Sequence, residues 1–220
     1  MTSLRWILLF VALSTSLSCF AQLPSGAVYG GYEYFRADTG AVQDSLNLAA
    51  FGTGFPPINF GRSQNLHGWN FGLQENFTSY FGGVVDAGGA YINKKTTLSQ
   101  GGGLTSQLRT RLHIYTLMAG PQFAYSRNRT FKPFVRALAG GAFNTVSVNA
   151  LLNNVPQGPE LSTDDSGFSF GAGGGTDIRL ANHFAVRVAV DYIRTYFFND
   201  SQNNGRGTVS LVYHWGEAGK

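Results

Sequence analysis

Between Leu66 and Thr78 bulky apolar residues take turns with small polar ones. Trp69, Phe71, Leu73 and Phe77 fall on one face of an extended chain, interrupted by Glu75, and Asn70, Gly72, Gln74 and Asn76 fall on the other. A period of two belongs to a β-strand, whose side chains point alternately to opposite faces. The pattern recurs in Arg206–Trp215, where Val209, Leu211, Tyr213 and Trp215 oppose Arg206, Thr208, Ser210 and His214. In Phe184–Phe197 a face of Phe184, Val186, Val188, Val190 and Tyr192 opposes Arg187 and Asp191. In Gly167–Leu180, Phe168, Phe170, Ala172 and Ile178 oppose Ser169, Gly171, Gly173, Gly175, Asp177 and Arg179.

Four further segments are less regular: Ala27–Arg36, Phe81–Asn93, Arg109–Tyr125 and Pro133–Phe143. Pro121 lies inside the third, removes a ladder donor and predicts a bulge or a strand end there. The connections alternate, long then short. Ala37–Asn65 is the longest, and Ser79–Tyr80 the shortest. Long loops at one rim and short turns at the other, joining an even number of strands, describe an up-and-down barrel in an outer membrane.

No stretch beyond the first residues approaches the ~18 apolar residues of a membrane-crossing helix, so strands would do the crossing. Charged residues are 13% of the 220, and there are 29 glycines. An eight-stranded barrel is only just wide enough for its own side chains. Small and polar inside, bulky outside, with lipid as the solvent, suits that geometry; a soluble lipocalin-like barrel is the structural alternative. The aromatics sort to two heights. Phe77, Tyr80, Phe81, Phe123, Tyr125, Phe131, Phe184, Tyr213 and Trp215 gather near the lower rim. Tyr34, Phe35, Trp69, Tyr91, Tyr115, Phe143, Phe168, Tyr192, Tyr196 and Phe197 gather near the upper one. Such girdles anchor barrels at the two interfaces.

Residues 1–21 carry the marks of a secretory signal: Arg5, an apolar core from Trp6 to Leu13, and Cys19-Phe20-Ala21 at the cleavage position. Cleavage after Ala21 leaves residues 22–220 as one barrel domain without cysteine, hence without disulfide or reactive thiol. A lipoprotein signal would acylate Cys19, but Ser16 stands where such a signal wants Leu.

With the strands placed, the chain resembles the small outer-membrane β-barrel proteins, the OmpA/OmpX-like group, and within them the outer membrane protein β-barrel domain family. The resemblance rests on Tyr29-Gly30-Gly31-Tyr32-Glu33-Tyr34, Leu66-His67-Gly68-Trp69-Asn70, Gly120-Pro121-Gln122-Phe123, Pro133-Phe134-Val135-Arg136-Ala137-Leu138, Gly173-Gly174-Gly175-Thr176-Asp177 and the last alternating strand. Their order and spacing cover nearly all of the chain after the leader. The resemblance implies an all-β, eight-stranded antiparallel transmembrane barrel in a Gram-negative outer membrane. It also implies outer-membrane lipid including lipopolysaccharide, and the barrel-assembly machinery, as partners. Family members end on an aromatic residue; here Gly216–Lys220 follow Trp215. The group hosts structural proteins, adhesins, narrow porin-like pores and a few enzymes, so the resemblance implies no chemistry.

The inward-facing charges Glu33, Asp86, Arg136, Asp177, Arg179, Arg187 and Asp191 mix both signs on neighbouring strands. Buried charges must pair. They form either a salt-bridge network that plugs the barrel or the gate of a narrow ion path. Lipid-modifying barrel enzymes need a His, a Ser and an acid near the outer leaflet. His67 with Ser63 and Asp164-Asp165 is the nearest approach, and no His-x-Ser pair exists. No catalytic residue is therefore assigned, nor any cofactor or metal ligand, since four scattered His without retained Cys leave no site. The net charge is +4, but the bases form no cluster longer than Lys94-Lys95, which argues against nucleic acid. Two long loops carry apolar residues that mark contact sites. These are Phe51, Phe55 and Phe60 in Ala37–Asn65, and Leu151 and Leu152 in Thr145–Asp165. The expected role is a non-enzymatic envelope protein with recognition through its loops, with a narrow pore as the alternative and a lipid-modifying enzyme third.

Overall fold

The computed structural model describes residues 25–40, 43–44, 47–48, 61–100, 104–125, 130–152, 155–156, 161–197 and 200–216. The leader, 1–21, and Phe51, Phe55 and Phe60 lie outside them. Eight long strands and one two-residue strand follow in order: β1 Ser25–Asp38, β2 Ser63–Asn76, β3 Phe81–Gln100, β4 Leu104–Ala124, β5 Phe131–Leu152, β6 Val155–Pro156, β7 Leu161–Arg179, β8 Phe184–Phe197 and β9 Asp200–Gly216. Each long strand pairs antiparallel with the next, and β9 returns to β1. The result is a closed barrel. Closure gives every long strand two neighbours and leaves the barrel wall no open edge, the condition for strands to stand in lipid.

The register is uniform in every ladder. Traced from Gly26 through Glu75 and Gly83 to Pro121, across to Ala137 by the register that Ala119↔Ala139 and Gln122↔Arg136 keep on either side, and on through Ala172, Tyr192 and Gly205, it returns to β1 at Arg36, ten residues along. With eight strands that stagger sets a tilt of about 40° and a backbone radius of about 8 Å. Pro121 makes no bulge and ends no strand, contrary to expectation. Its missing donor leaves Gly120 and Pro121 without partners on β5, while Ala119↔Ala139 and Gln122↔Arg136 keep one register on either side.

The assignment of faces holds on every strand. Trp69, Phe71, Leu73, Val85, Leu117, Val135, Val190, Val209 and Leu211 are exposed on the outer surface, while Asn70, Asp86, Arg136, Asp191 and Ser210 are buried inside. Two members of the expected upper girdle differ. Phe35 and Phe197 have the inward parity and are fully buried, whereas Tyr34, Tyr91, Tyr115, Phe143, Phe168, Tyr192 and Tyr196 are exposed as expected. The interior is also less uniformly polar than its composition suggested. Phe35, Leu66, Leu112, Ile114, Leu138 and Ile193 are buried within it. A bore of this width is not filled by Gly, Ser and Asn alone.

The alternation of loop lengths is overturned on three of the long connections. Residues 101–103 alone separate β3 from β4, and 198–199 alone separate β8 from β9. Most of the Thr145–Asp165 loop is strand, with Asn144↔Asp165 through Val148↔Leu161 paired between β5 and β7. Leu151 and Leu152 are therefore the end of β5, their backbone paired with Pro156 and Val155 of β6. These ladders continue past the upper girdle. Their outer faces there meet water, so the apolar half of the alternation disappears although the hydrogen-bonded strand goes on. The connection from β1 to β2 stays long. Its base is fixed by Thr39 N–H donating to the Arg62 carbonyl (3.0 Å) and by the backbone of Gly61, at φ 96°, donating to Gln43 Oε1 (2.6 Å).

Candidate functional site

The inward-facing charges meet across the middle of the bore. Asp191 on β8 is bound by two arginines. Its Oδ1 accepts from Arg136 Nε (2.9 Å), and its Oδ2 accepts from Arg136 Nη2 (2.7 Å) and from Arg206 Nε and Nη2 (3.0 and 2.9 Å). Asp86 on β3 is the opposite anchor. Its Oδ1 accepts from Arg206 Nη1 (2.6 Å), and its Oδ2 accepts from Tyr29 Oη (2.7 Å), Asn70 Nδ2 (3.1 Å) and Arg136 Nη1 (3.3 Å). Glu33 on β1 lies 3.7 Å from Arg206 Nη1. The network thus ties β1, β2, β3, β5, β8 and β9 across the ring.

A second layer lies beside it. Arg187 Nε and Nη2 donate to the two oxygens of Asp177 (2.7 and 2.8 Å), and Nη2 also donates to Gln74 Oε1 (2.6 Å). The guanidinium stands 4.4 Å from the Tyr29 ring centre and 4.6 Å from that of Phe134. Contacts of this kind are worth most when desolvated. The side chains of Arg136, Arg206, Asp86 and Asp191 have 0% exposure. Paired, bidentate geometry is what makes such burial tolerable, since an unpaired charge here would be very costly.

Glycines on the inner face make the space. A Cβ on Gly72 would lie 2.3 Å from Tyr29 Oη, one on Gly88 2.6 Å from Glu33 Oε2, and one on Gly173 2.3 Å from Asp191 Oδ1. The backbone of three strands is thereby available as wall for larger groups from others.

Of the seven charges expected in the bore, Glu33, Asp86, Arg136, Asp177, Arg187 and Asp191 are there and buried. Arg179 is not part of the network. It has the inward parity but sits at the last residue of β7, and its Nη2 donates to the Asn182 carbonyl in the rim turn (3.2 Å). Sequence reasoning missed Arg206, which holds both Asp86 and Asp191, and Tyr29. Both were legible in part. Arg206 stands on the polar face of its strand and Tyr29 shares parity with Glu33, but only the register brings Arg206 opposite Asp191.

His67 does not assemble with an acid and a serine. It lies on the outer face, where its ring packs edge-on to Tyr34 with centroids 5.7 Å apart and its Nδ1 meets the Tyr32 hydroxyl. Ser63 accepts from Arg36 Nε (3.1 Å), and Asp164 and Asp165 stand on β7, paired with Thr145 and Asn144 of β5. Among the described residues no cluster of His, Cys, Asp and Glu is able to hold a metal ion.

A family model described as outer membrane protein beta-barrel domain matches residues 7–214. No curated protein matches the sequence. Among solved structures, Ail, the attachment invasion locus protein of Yersinia pestis, in complex with the heparin analogue sucrose octasulfate, is similar at 13% identity, 88% of this chain, 100% of that chain and a TM-score of 0.56. A second structure of Ail gives the same identity and coverage with a TM-score of 0.50. Neisserial surface protein A is similar at 12% identity over 86% of this chain and 95% of that chain, with a TM-score of 0.46.

Proposed function

The chain belongs to the outer membrane protein beta-barrel family, and from that premise we propose that it is a structural barrel of the envelope with a closed bore. Its outward-facing end serves for recognition. It is exported by its first 21 residues and inserted by the barrel-assembly machinery. The carrying observation is the network of Asp86, Asp191, Arg136 and Arg206, whose side chains cross the bore with no exposure to solvent. An ion path needs a continuous wet column with groups that bind and release. Here each carboxylate oxygen of Asp86 and Asp191 is already engaged by an arginine. A non-enzymatic role is supported by the separation of His67 and Ser63, four residues apart on β2 and bonded to Tyr32 and Arg36, from Asp164 on β7.

The test is conductance of the refolded protein in a planar bilayer, with folding verified by its β spectrum and by heat-dependent gel mobility. The expected result is silence. Discrete, ion-selective steps would replace this reading with a narrow pore, and Arg136, Asp191 and Arg206 would then be its selectivity groups.

A further inference from the structure

The lower mouth of the bore gathers bases around one acid. Asp177 of β7 faces inward, and its two oxygens accept from Arg187 of β8 (2.7 and 2.8 Å). Lys132 of β5 is directly opposite Asp177 across the ladder and shares its inward parity. Arg179 follows two residues later on the same face of β7, and His214 Nε2 of β9 lies 4.0 Å from Asp177 Oδ2. Lys132 stands within electrostatic reach of Asp177 and Arg179, and His214 within reach of Asp177, Lys132, Arg187 and Arg179. Asp177 and Arg187 are buried, while Lys132, Arg179 and His214 are half-buried at the rim.

The charges at this mouth do not balance. Among the described residues Asp177 is the only acid that faces into it. The next inward acid, Asp191, is paired with Gly173, four residues and about 13 Å up β7. Arg187 already neutralises Asp177, so Lys132 and Arg179 remain as two cations, even with His214 left aside. Arg179 Nη2 donates to a neutral acceptor, the Asn182 carbonyl (3.2 Å), and Arg187 Nη1 is buried without a hydrogen-bond partner. Like charges repel more strongly where they are partly desolvated. The rim turns hold them there nonetheless: Arg179 N–H donates to the Thr130 carbonyl (2.9 Å) and His214 N–H to the His183 carbonyl (2.8 Å).

We propose that Lys132, Arg179 and His214 form a docking site for a soluble, phosphate-bearing anion that enters the lower mouth from the periplasm. A phosphate group carries a charge of about −1.5 to −2 at neutral pH, which matches the two cations in excess. The planar donors of Arg179 and the ammonium of Lys132 are the groups that take phosphate oxygens. The site faces the axis of the bore and not the lipid around the barrel, which selects a soluble anion over a lipid head group. The Arg187–Asp177 pair closes it from above, so the anion docks at the mouth without crossing the bore. Each charge-assisted hydrogen bond contributes on the order of tenfold in affinity or more, so removing both cations weakens binding at least about 100-fold.

The experiment uses the refolded full barrel in neutral detergent micelles, titrated with inorganic phosphate at constant ionic strength. The titration stays in the low-millimolar range, where the general stabilising effect of phosphate salts is small. The half-unfolding temperature is read from heat-dependent gel mobility, because a ligand that binds only the folded barrel raises it. The expected result is a saturable rise for the native chain. The double variant Lys132→Gln with Arg179→Gln should lose that rise, and Lys132→Arg, which keeps the charge, should retain it. Lys132→Gln alone should move the titration midpoint about tenfold higher, and it carries the test if the double variant does not refold. No saturable rise in the native chain, or an equal response in the double variant or in Lys132→Gln, overturns the proposal. So does a rise produced by micelles doped with an anionic phospholipid and not by phosphate, which would assign the mouth to a lipid.

Discussion

Two levels of the same bore are closed by different physics. At the ionic level Asp86, Asp191, Arg136 and Arg206 hold one another by directional bonds of 2.6–3.3 Å. At the apolar level Phe35, Leu66, Leu112 and Ile193 fill the space by contact alone. Both exclude water, but they respond differently to loss. Removing an apolar group leaves a cavity whose cost grows with its size. Removing one charge leaves its partners buried and unpaired. The comparison teaches that filling this bore is tolerant of shape where it is greasy and intolerant of deletion where it is charged.

The largest effect should come from Asp191→Ala, which strands two arginines. A loss of about 3–5 kcal/mol is expected, read from urea unfolding of the refolded barrel by tryptophan fluorescence. A loss no greater than that of an apolar truncation would erase the distinction between the levels. Leu66→Ala at the apolar level should cost about 3 kcal/mol and leave the bilayer silent. Conductance from this variant would show that the apolar level, and not the ionic one, is the seal.

Tyr29→Phe tests how finely the ionic level is tuned. It removes only the hydroxyl that donates to Asp86 and accepts from Arg136 Nη1 at 3.1 Å. About 1–2 kcal/mol should be lost, and a double-mutant cycle with Asp86→Asn should show coupling between the two sites. An additive result would mean that the hydroxyl acts alone. The smallest effect belongs to Val190→Ile on the outer surface, where the added methylene meets lipid. A change within about 0.5 kcal/mol is expected, and a large one would mean that Val190 packs against something other than lipid.

The faces of the barrel were legible because lipid and bore impose opposite demands on alternate residues. That demand exists only at membrane depth. Above the girdle Lys95 and Thr97 stand on the outer face of a stretch of β3 that no apolar alternation marks, so that stretch reads as a loop, although Arg109 across the ladder already falls within a segment read as strand. The ionic level was legible as a set of charges on inner faces. Its pairing was not, because a hydrogen bond from Arg206 to Asp86 joins strands through residues 120 positions apart and depends on a stagger that no single segment carries. Arg179 illustrates the converse error. Parity placed it inside, but its position at a strand end let it turn to the rim.

The barrel is closed by its first and last long strands, with Gly26 against Trp215 and Arg36 against Gly205. That contact is the most distant in sequence and the latest available to a growing chain. Arg206 arrives with it. Until β9 docks, Glu33, Asp86 and Asp191 share the bore with Arg136 as the one arginine that binds Asp86 and Asp191. Without β9 this level of the bore therefore carries surplus negative charge. The last strand brings both the final wall and the second arginine of the network, so one element completes the ring and balances its interior.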